Sequence, residues 1–208
     1  MAERNILRPP GKPNVFGHPE GPLGFLAGWL MARAGRQNNE WAVSKLAVQP
    51  RDAVLEIGFG PGVAIQRLAE MATQGFIAGV DPSDVMVGQA QKRNRKALMT
   101  GRVELKRSSV SSLPYEDGIF DKVLSVNNVM MWPQPERDLK EVLRVLKPGG
   151  KVVLVLQPRW VKTRAEVEAI GREIAAHISS AGFSAPHVEV REMQPVASVA
   201  VSALRPGE

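Results

Sequence analysis

The chain has 208 residues and a formal net charge of +6, with 44% hydrophobic and 23% charged residues. This length and composition predict an ordinary globular protein with a full core, and exclude a disordered or fibrous chain. No run of about 18 apolar residues occurs and no secretory signal opens the chain, so we expect a cytoplasmic protein without membrane spans.

Cysteine and histidine usage limits the chemistry that the chain can perform. There is no cysteine, which excludes disulfides, thiolate metal sites and cysteine nucleophiles. His18, His177 and His187 are scattered without metal-ligand spacing. The sequence therefore predicts no metal site.

Basic residues are concentrated in one segment, where Glu104 is the sole acid. The seven basic residues are Lys92, Arg93, Arg95, Lys96, Arg102, Lys106 and Arg107. One interpretation is a surface for an anionic partner such as nucleic acid or a lipid membrane. The other is a solvated helix end, where cations favour the negative end of the helix dipole. No aromatic residue interrupts the run for base stacking, so DNA is not an expected partner, while peripheral membrane contact stays open.

The N-terminal residues 1–22 are rich in proline and glycine, which predicts a loop or lid without regular structure of its own. The pattern then predicts a helix over 23–34 and a second helix with Asn39 as N-cap, ending near Ala47. We therefore divide the chain into an N-terminal lid segment and helix at 1–40 and a main domain at 41–208.

A glycine-rich loop follows the first predicted strand, Ala53 to Ile57, and helical periodicity resumes at Val63. Glycines at such a crossover let the backbone pass close to a ligand. A dinucleotide-binding loop would have its third glycine at position 63, but here it is Gly62. Glu56 before the loop would repel a pyrophosphate, but it suits a ligand with an amino group and a sulfonium. A glycine-rich turn without a ligand is the alternative.

These residues resemble the first motif of the class I S-adenosylmethionine (SAM) dependent methyltransferases, an acid followed by G-x-G-x-G. The segment 144–150 closely matches the most recognisable turn of that family, and the segment 107–121 is similar to one in quinone-biosynthesis C-methyltransferases. The resemblance implies SAM as cofactor. The loop residues that it implies for cofactor binding are Glu56, Gly58, Phe59, Gly60 and Gly62.

A second strand, from Gly75, ends in Asp81. At this position of an open α/β sheet a carboxylate can accept hydrogen bonds from both ribose hydroxyls, and capping of the next helix is the alternative. Pro82 follows in the same predicted site. Met86 lies one turn into the helix, where its thioether could cover the adenine face or pack in the core.

A third strand is predicted at 102–106, and beyond it the family's adenine-binding aspartate is replaced by Ser109. The resemblance implies that the Ser109 hydroxyl accepts the adenine amino group, more weakly than a charged acceptor would. The amide of Val110 is expected to contribute to adenine recognition.

The fourth strand, Phe120 to Val126, ends at the edge of the sheet where ligands of such folds bind. Asn127 follows and is predicted to hold the methionine moiety of SAM. Met131 and Trp132 could wall an apolar acceptor pocket or pack under the next helix. The family often has histidines here, but this sequence has none at these positions. His18 in the predicted lid is therefore the remaining candidate for a catalytic base.

The rest of the chain predicts a helix over 135–146, a strand over 151–156, a helix capped by Thr163 and Glu166, and a closing hairpin over 187–203. Alternating strands and helices indicate a doubly wound, Rossmann-like α/β fold. The resemblance implies seven strands in the order 3-2-1-4-5-7-6, with strand 7 antiparallel.

The resemblance implies an enzyme that transfers a methyl group from SAM to a small acceptor molecule. The short loops after strands four and five favour an apolar acceptor. Two alternatives stay open: a methyltransferase for lipid headgroups at an anionic membrane surface, and a SAM-binding protein without transfer activity. The sequence does not indicate the acceptor atom or the oligomeric state.

Overall fold

The computed structural model describes Leu7 and residues 35–207 of the chain. Seven strands form one sheet in the order β3-β2-β1-β4-β5-β7-β6. The strands are β1 (Ala53–Ile57), β2 (Phe76–Asp81), β3 (Val103–Arg107), β4 (Phe120–Val126), β5 (Leu146–Leu156), β6 (Ser184–Arg191) and β7 (Ser198–Leu204). Strands β1 to β5 are parallel to one another, whereas β7 is antiparallel to both β5 and β6. The predicted fold class and strand order are therefore confirmed.

Helices cover both faces of this sheet. They are α1 (Arg36–Leu46), α2 (Val63–Met71), α3 (Asp84–Arg93), α4 (Arg95–Met99), α5 (Pro135–Val145) and α6 (Arg164–Ser180), with a 3-10 turn at Val129–Met131. Successive strand residues enter opposite faces: Val152 packs in a cluster with α5 and α6, and Val153 in a second cluster with α1 and α2. A central sheet buried on both faces explains why its strands are almost continuously apolar.

Local boundaries differ from the predicted ones in three places. Asn39 does not cap α1, because the helix begins at Arg36 after Gly35. The preceding Asn38 is a buried helical residue whose Oδ1 accepts a hydrogen bond from Ser198 Oγ at 2.6 Å. The third strand is shifted by one residue, to Val103–Arg107. The helix predicted at 23–34 lies outside the described residues, and α1 crosses the predicted domain boundary at 40/41, which stays a prediction.

Strand β5 begins five residues earlier than predicted, at Leu146 instead of Lys151. The glycine turn is drawn into the sheet by the chain beyond β7: Gly149 donates to the Arg205 carbonyl at 3.0 Å, and Arg205 donates to the Gly150 carbonyl at 2.8 Å. The cause is a contact between residues far apart in the sequence, so periodicity alone could not indicate it.

The capping box predicted for α6 is confirmed. Thr163 Oγ1 accepts a hydrogen bond from the Glu166 amide, and the Glu166 side chain accepts one from the Thr163 amide. This satisfies two backbone donors at the helix start, which have no partner within the helix itself. Further along α6, Gly171 permits close packing, since a Cβ there would come within 2.7 Å of Val199 Cγ2 and 2.8 Å of Val188 Cγ1.

We expect opposite effects from alanine at two helical glycines. Gly171→Ala should lower the free energy of unfolding by about 1 to 3 kcal/mol, because the added methyl overpacks the contact with the sheet. Gly88→Ala in α3 should raise it by about 0.5 to 1 kcal/mol, because nothing lies within 4 Å of its Cβ position. Chemical denaturation measures both, and equal effects would contradict this account of helix packing.

Candidate active site

The loop after β1 has a backbone that only glycine adopts readily. Gly58, Gly60 and Gly62 have φ values of +73°, +51° and +76°. The Gly58 amide donates to the Val80 carbonyl at 2.8 Å, so the loop leaves the sheet beside the end of β2. At Gly62, which precedes α2, a Cβ would come within 2.7 Å of the Ala90 Cβ on α3. The glycines therefore bring the loop and the start of α2 close to the last turn of α3.

Glu56 places a carboxylate inside the fold directly under this loop. The residue is 2% exposed, and its Oε2 atom has no hydrogen-bond partner. Burial raises the pKa of Glu56 well above its ordinary value, and the charge of Asp81 raises it further, while a hydrogen bond from the Ile65 backbone acts in the opposite direction. An unsatisfied carboxyl oxygen in such a place is costly for folding, which favours a role in binding a ligand.

Asp81 at the end of β2 is bound to the backbone on both sides. Its Oδ2 accepts a hydrogen bond from the Gly60 amide at 2.9 Å, and its Oδ1 accepts one from the Ser83 amide at 2.9 Å. The side chain that caps α3 is Ser83, whose Oγ accepts from the Met86 amide at 3.4 Å. Asp81 is thus placed beside the glycine loop, while the neighbouring Ser83 serves as the cap.

Two residues that the sequence analysis did not assign hold the far end of the loop. Arg93 Nε donates to the Pro61 carbonyl at 2.8 Å. Asn94 is buried, and its Nδ2 donates to the Gly62 carbonyl at 3.1 Å and to the Ala90 carbonyl at 2.9 Å. The sequence signal for these residues was a polar side chain directly after the basic last turn of a helix. Their hydrogen-bond partners in the loop are distant in the chain, so the sequence does not show them.

The residues predicted at the adenine end have different environments. Met86 is 2% exposed on the first turn of α3, and Val110 is buried in the main core cluster. Ser109 is exposed, and its Oγ accepts the Ser111 amide at 3.3 Å. Pro82 is exposed, and its carbonyl accepts from Arg107 Nε at 3.2 Å. The contacts of these four residues with adenine stay predictions.

Phe59 differs from the other loop residues because its ring points into the fold. It is 3% exposed, and its Cδ1 would lie 2.6 Å from a Cβ at Gly79. The ring therefore packs on β2 in the core cluster that also contains α1 and α2. Only the backbone of Phe59 is therefore available for contact with a cofactor.

The end of β4 contributes a second group of polar and apolar side chains. Asn127 has a φ of +51°, and its Oδ1 accepts a hydrogen bond from the Gln157 amide at 2.7 Å, which ties β4 to the end of β5. Asn128 Oδ1 accepts a hydrogen bond from Trp132 Nε1 at 2.7 Å. Trp132 is 2% exposed within the main core cluster, whereas Met131 is partly exposed. The indole thus packs in the core, and its predicted place in an acceptor pocket is untested.

The described histidines lie on other elements. His177 is in the last turn of α6, with Nδ1 3.5 Å from Glu136 Oε1, and His187 is on the edge strand β6. His18, the predicted candidate base, lies outside the described residues. Within the part of the chain that the structure describes, we therefore assign no histidine as a catalytic base.

The site has features that fit SAM. The orphaned Glu56 Oε2 offers a buried acceptor, and Asp81 retains acceptor capacity beside the loop. At Gly60 the loop backbone is accessible, since nothing lies within 4 Å of a Cβ there. Two acids and an open glycine backbone suit a ligand that has an ammonium group, a sulfonium and ribose hydroxyls.

Comparisons with known proteins agree with this site. A family described as "Methyltransferase domain" matches residues 54–150. An uncharacterized methyltransferase of Bacillus subtilis, YdaC, is 31% identical over 183 residues, which cover 88% of this chain and 99% of that protein. The ubiquinone/menaquinone biosynthesis C-methyltransferase UbiE of Geotalea daltonii is 30% identical over 140 residues, covering 66% of this chain and 60% of that protein.

The fold is also similar to that of a solved structure, a SAM-dependent methyltransferase from Aquifex aeolicus. The TM-score is 0.70 at 20% identity, and the match covers 86% of this chain and 97% of that one. The similarity to YdaC thus spans nearly the whole of that relative, and the solved structure has the same overall fold.

We expect Glu56→Gln to stabilise the protein at neutral pH while weakening SAM binding. Because the folded-state pKa of Glu56 is raised, the folded protein loses stability as pH rises from the ordinary value of 4.5 towards the raised one. The glutamine side chain does not ionise, so the variant should gain about 1 to 3 kcal/mol at pH 7, the scale for an unsatisfied buried group. That gain should vanish as the pH approaches the ordinary pKa.

Chemical denaturation across pH measures this gain, and titration calorimetry measures SAM binding. Glu116→Gln is the matched control, since Glu116 is exposed in the β3 to β4 loop and should change stability by less than about 0.5 kcal/mol. A Glu56→Gln variant that is less stable than the wild type at pH 7 would contradict the assigned cost of this carboxyl.

Adjacent cations on α3 should differ in their effect on SAM affinity. Arg93→Gln should weaken SAM binding by about two- to tenfold, because it removes the hydrogen bond to Pro61 that holds the loop. Lys92→Gln removes the same charge from an exposed position and should leave the affinity unchanged. Calorimetry at two salt concentrations measures both, and equal losses would show a general charge effect instead.

Proposed function

Because the chain belongs to the class I SAM-dependent methyltransferases, we propose that it methylates a small, apolar acceptor molecule. It is an enzyme with SAM as its cofactor. The observation that carries the proposed acceptor class is the apolar, partly exposed surface at the carboxyl ends of β4 and β5.

Apolar side chains on the loops after these two neighbouring strands support this proposal. Met130 after β4 and Trp160 and Val161 after β5 pack against the main core cluster and remain partly exposed. Met131 has the same intermediate exposure. Apolar surface next to a cofactor loop favours an acceptor that is removed from water on binding.

The loops that carry this surface are short. Residues 127–134 separate β4 from α5, and residues 157–163 separate β5 from α6. The first contains one 3-10 turn and the second contains no helix or strand. This supports a small acceptor, since neither segment provides a separate substrate domain. The similarity to UbiE, named for ubiquinone/menaquinone biosynthesis, also supports the proposed acceptor class.

The mechanism that fits these residues is an in-line displacement. When bound, SAM would supply an electrophilic methyl group on its sulfonium for transfer to the acceptor, with S-adenosylhomocysteine as the leaving group. Glu56 and Asp81 would hold the cofactor by its amino group and ribose. Met130, Trp160 and Val161 would exclude water and orient the acceptor, and this positioning is the main contribution that the chain makes to the rate.

Lipid headgroups are a second candidate acceptor, because part of the basic segment is exposed on the surface. Four of its seven cations contact protein groups: Arg93 and Arg102 bind carbonyls, Lys106 pairs with Glu104, and Arg107 pairs with Asp84. Lys92 is exposed in the last turn of α3, and Arg95 and Lys96 are exposed on α4 together with Met99, which is 77% exposed; these four residues are called the exposed stripe. Such a stripe could contact an anionic membrane surface. No helix within residues 35–207 is long and apolar enough to cross a membrane.

Turnover of SAM with an acceptor panel tests the proposal. We expect S-adenosylhomocysteine (SAH) to form with apolar phenols or hydroquinones, at least tenfold faster than with amino acids, polyamines or nucleosides of similar size, because only the apolar acceptors gain from the loop surface. Each acceptor is assayed with and without anionic vesicles. Preference for a hydrophilic acceptor would refute the apolar class, and turnover that requires vesicles and fades with salt would favour the lipid candidate.

A variant at the loop surface ties the preference to the structure. Met130→Gln keeps the length of the side chain and removes its apolar character, so KM for the apolar acceptor should rise by about three- to tenfold. The Kd for SAH should stay unchanged. Lys96→Gln on the exposed stripe is the control and should alter neither constant for a soluble acceptor.

A further inference from the structure

A separate cleft lies between α1 and the end of the edge strand β6. Its volume is about 420 Å³. One wall consists of side chains from α1, among them Glu40 and Trp41, and the other wall consists of residues 191–193. No residue of the cofactor loop or of the proposed acceptor surface lines it. The activity described so far therefore gives this cleft no role.

Contacts outside the cleft fix both of its walls. Lys45 Nζ on α1 pairs with Glu189 Oε2 on β6 at 2.6 Å, which joins the helix to the strand. Beyond the second wall, the buried Gln157 donates from Nε2 to the Gln194 carbonyl at 3.0 Å and to the Val196 carbonyl at 2.9 Å. The cleft is therefore formed before any ligand binds, which lowers the entropic cost of binding.

The charges in the cleft are only partly compensated by the protein. Glu192 pairs with Arg164 at the start of α6. Arg191 and Glu40, by contrast, form no ion pair and no side-chain hydrogen bond with any of residues 35–207, and both are exposed. The two do not pair with each other, which leaves room between them. The cleft thus presents one available cation and one available anion.

Trp41 adds a donor and an apolar surface to the same cleft. The residue is 3% exposed in the core cluster that α1 and α2 share. A buried indole N–H usually has a hydrogen-bond partner. Here Nε1 donates to no atom of residues 35–207 and is not enclosed by them, so the cleft that the ring lines is its point of access. Met193 packs against the same cluster from the opposite wall.

We propose that this cleft binds a small zwitterion with an apolar side chain, and that an α-amino acid is the chemical class that fits it. The carboxylate accepts hydrogen bonds from the Arg191 guanidinium and the Trp41 indole. The ammonium group pairs with Glu40, and the apolar side chain packs on Met193. A ligand with one charge gains from one partner and is repelled by the other, so the pair selects a ligand that carries both charges.

Nuclear magnetic resonance with three matched probes tests this site. The protein is saturated with SAH, so that the cofactor site is filled, and no methyl acceptor is present. The probes are L-leucine, isoamylamine, which is leucine without the carboxylate, and isocaproate, which is leucine without the ammonium group. The indole N–H resonance of Trp41, identified with a Trp41→Phe variant, reports occupancy of the cleft. We expect L-leucine to shift it with a Kd on the order of millimolar, about fivefold or more tighter than either analogue.

Variants at the two charges separate their roles. Arg191→Gln should weaken leucine binding by about fivefold or more and leave isoamylamine binding no weaker, because only the partner of the carboxylate is lost. Glu40→Gln should weaken leucine and isoamylamine binding and leave isocaproate binding no weaker. Arg172→Gln removes an exposed cation from α6 and is the matched control, which should alter none of the three.

A Trp41 resonance that L-leucine does not move at any concentration up to its solubility would overturn the proposal. Equal affinity for leucine and both analogues would also overturn it, since the ligand would then be held by apolar contact alone. Thermal unfolding shows whether each variant is folded. Should Trp41→Phe not fold, the backbone amides of residues 191–193, assigned by triple-resonance spectra, report occupancy in its place. Because the titration contains no acceptor, its result is independent of the proposed methyl transfer.

Discussion

The Asp81 carboxylate is the contact on which the geometry of the site depends. It receives the Gly60 amide from one crossover and the Ser83 amide from the next, so one side chain fixes two strand-to-helix connections. Charge-assisted hydrogen bonds of this kind are stronger than neutral ones. The cofactor loop is therefore held open by interactions that exist before any ligand binds.

This arrangement has an energetic cost that is concentrated at Glu56. Its carboxyl is buried beside Asp81, and both burial and the like charge favour the protonated form. A ligand with a cationic group would relieve both effects at once. A hydrophobic side chain would cost the folded protein less at this position, which supports the predicted role of the acid in binding.

The strands could be predicted because buried strands and glycine turns leave strong local patterns, whereas their order followed from the family resemblance. The start of α1 could not, because Asn38 is held in the helix by Ser198, 160 residues away. The same reason explains Arg93 and Asn94, which a sequence shows only as part of a basic run. The places of Glu56, Asp81 and the glycines at the strand ends followed from spacing, and their roles in binding stay predictions. The burial of the Phe59 ring and of Trp132 depends on neighbours that periodicity does not show.

The cofactor and acceptor sides of the site are built differently. The cofactor side uses backbone amides, carbonyls and buried carboxyls, whose positions follow from the sheet itself. The proposed acceptor side uses apolar side chains on two short loops. Changes at Met130 or Val161 can therefore alter the acceptor without disturbing the loop that holds the cofactor. Asn128 is the exception, because it contacts the cofactor loop through Gly58 and the core through Trp132. A change in the turn after β4 that moves Trp132 would therefore reach the cofactor loop through this one amide.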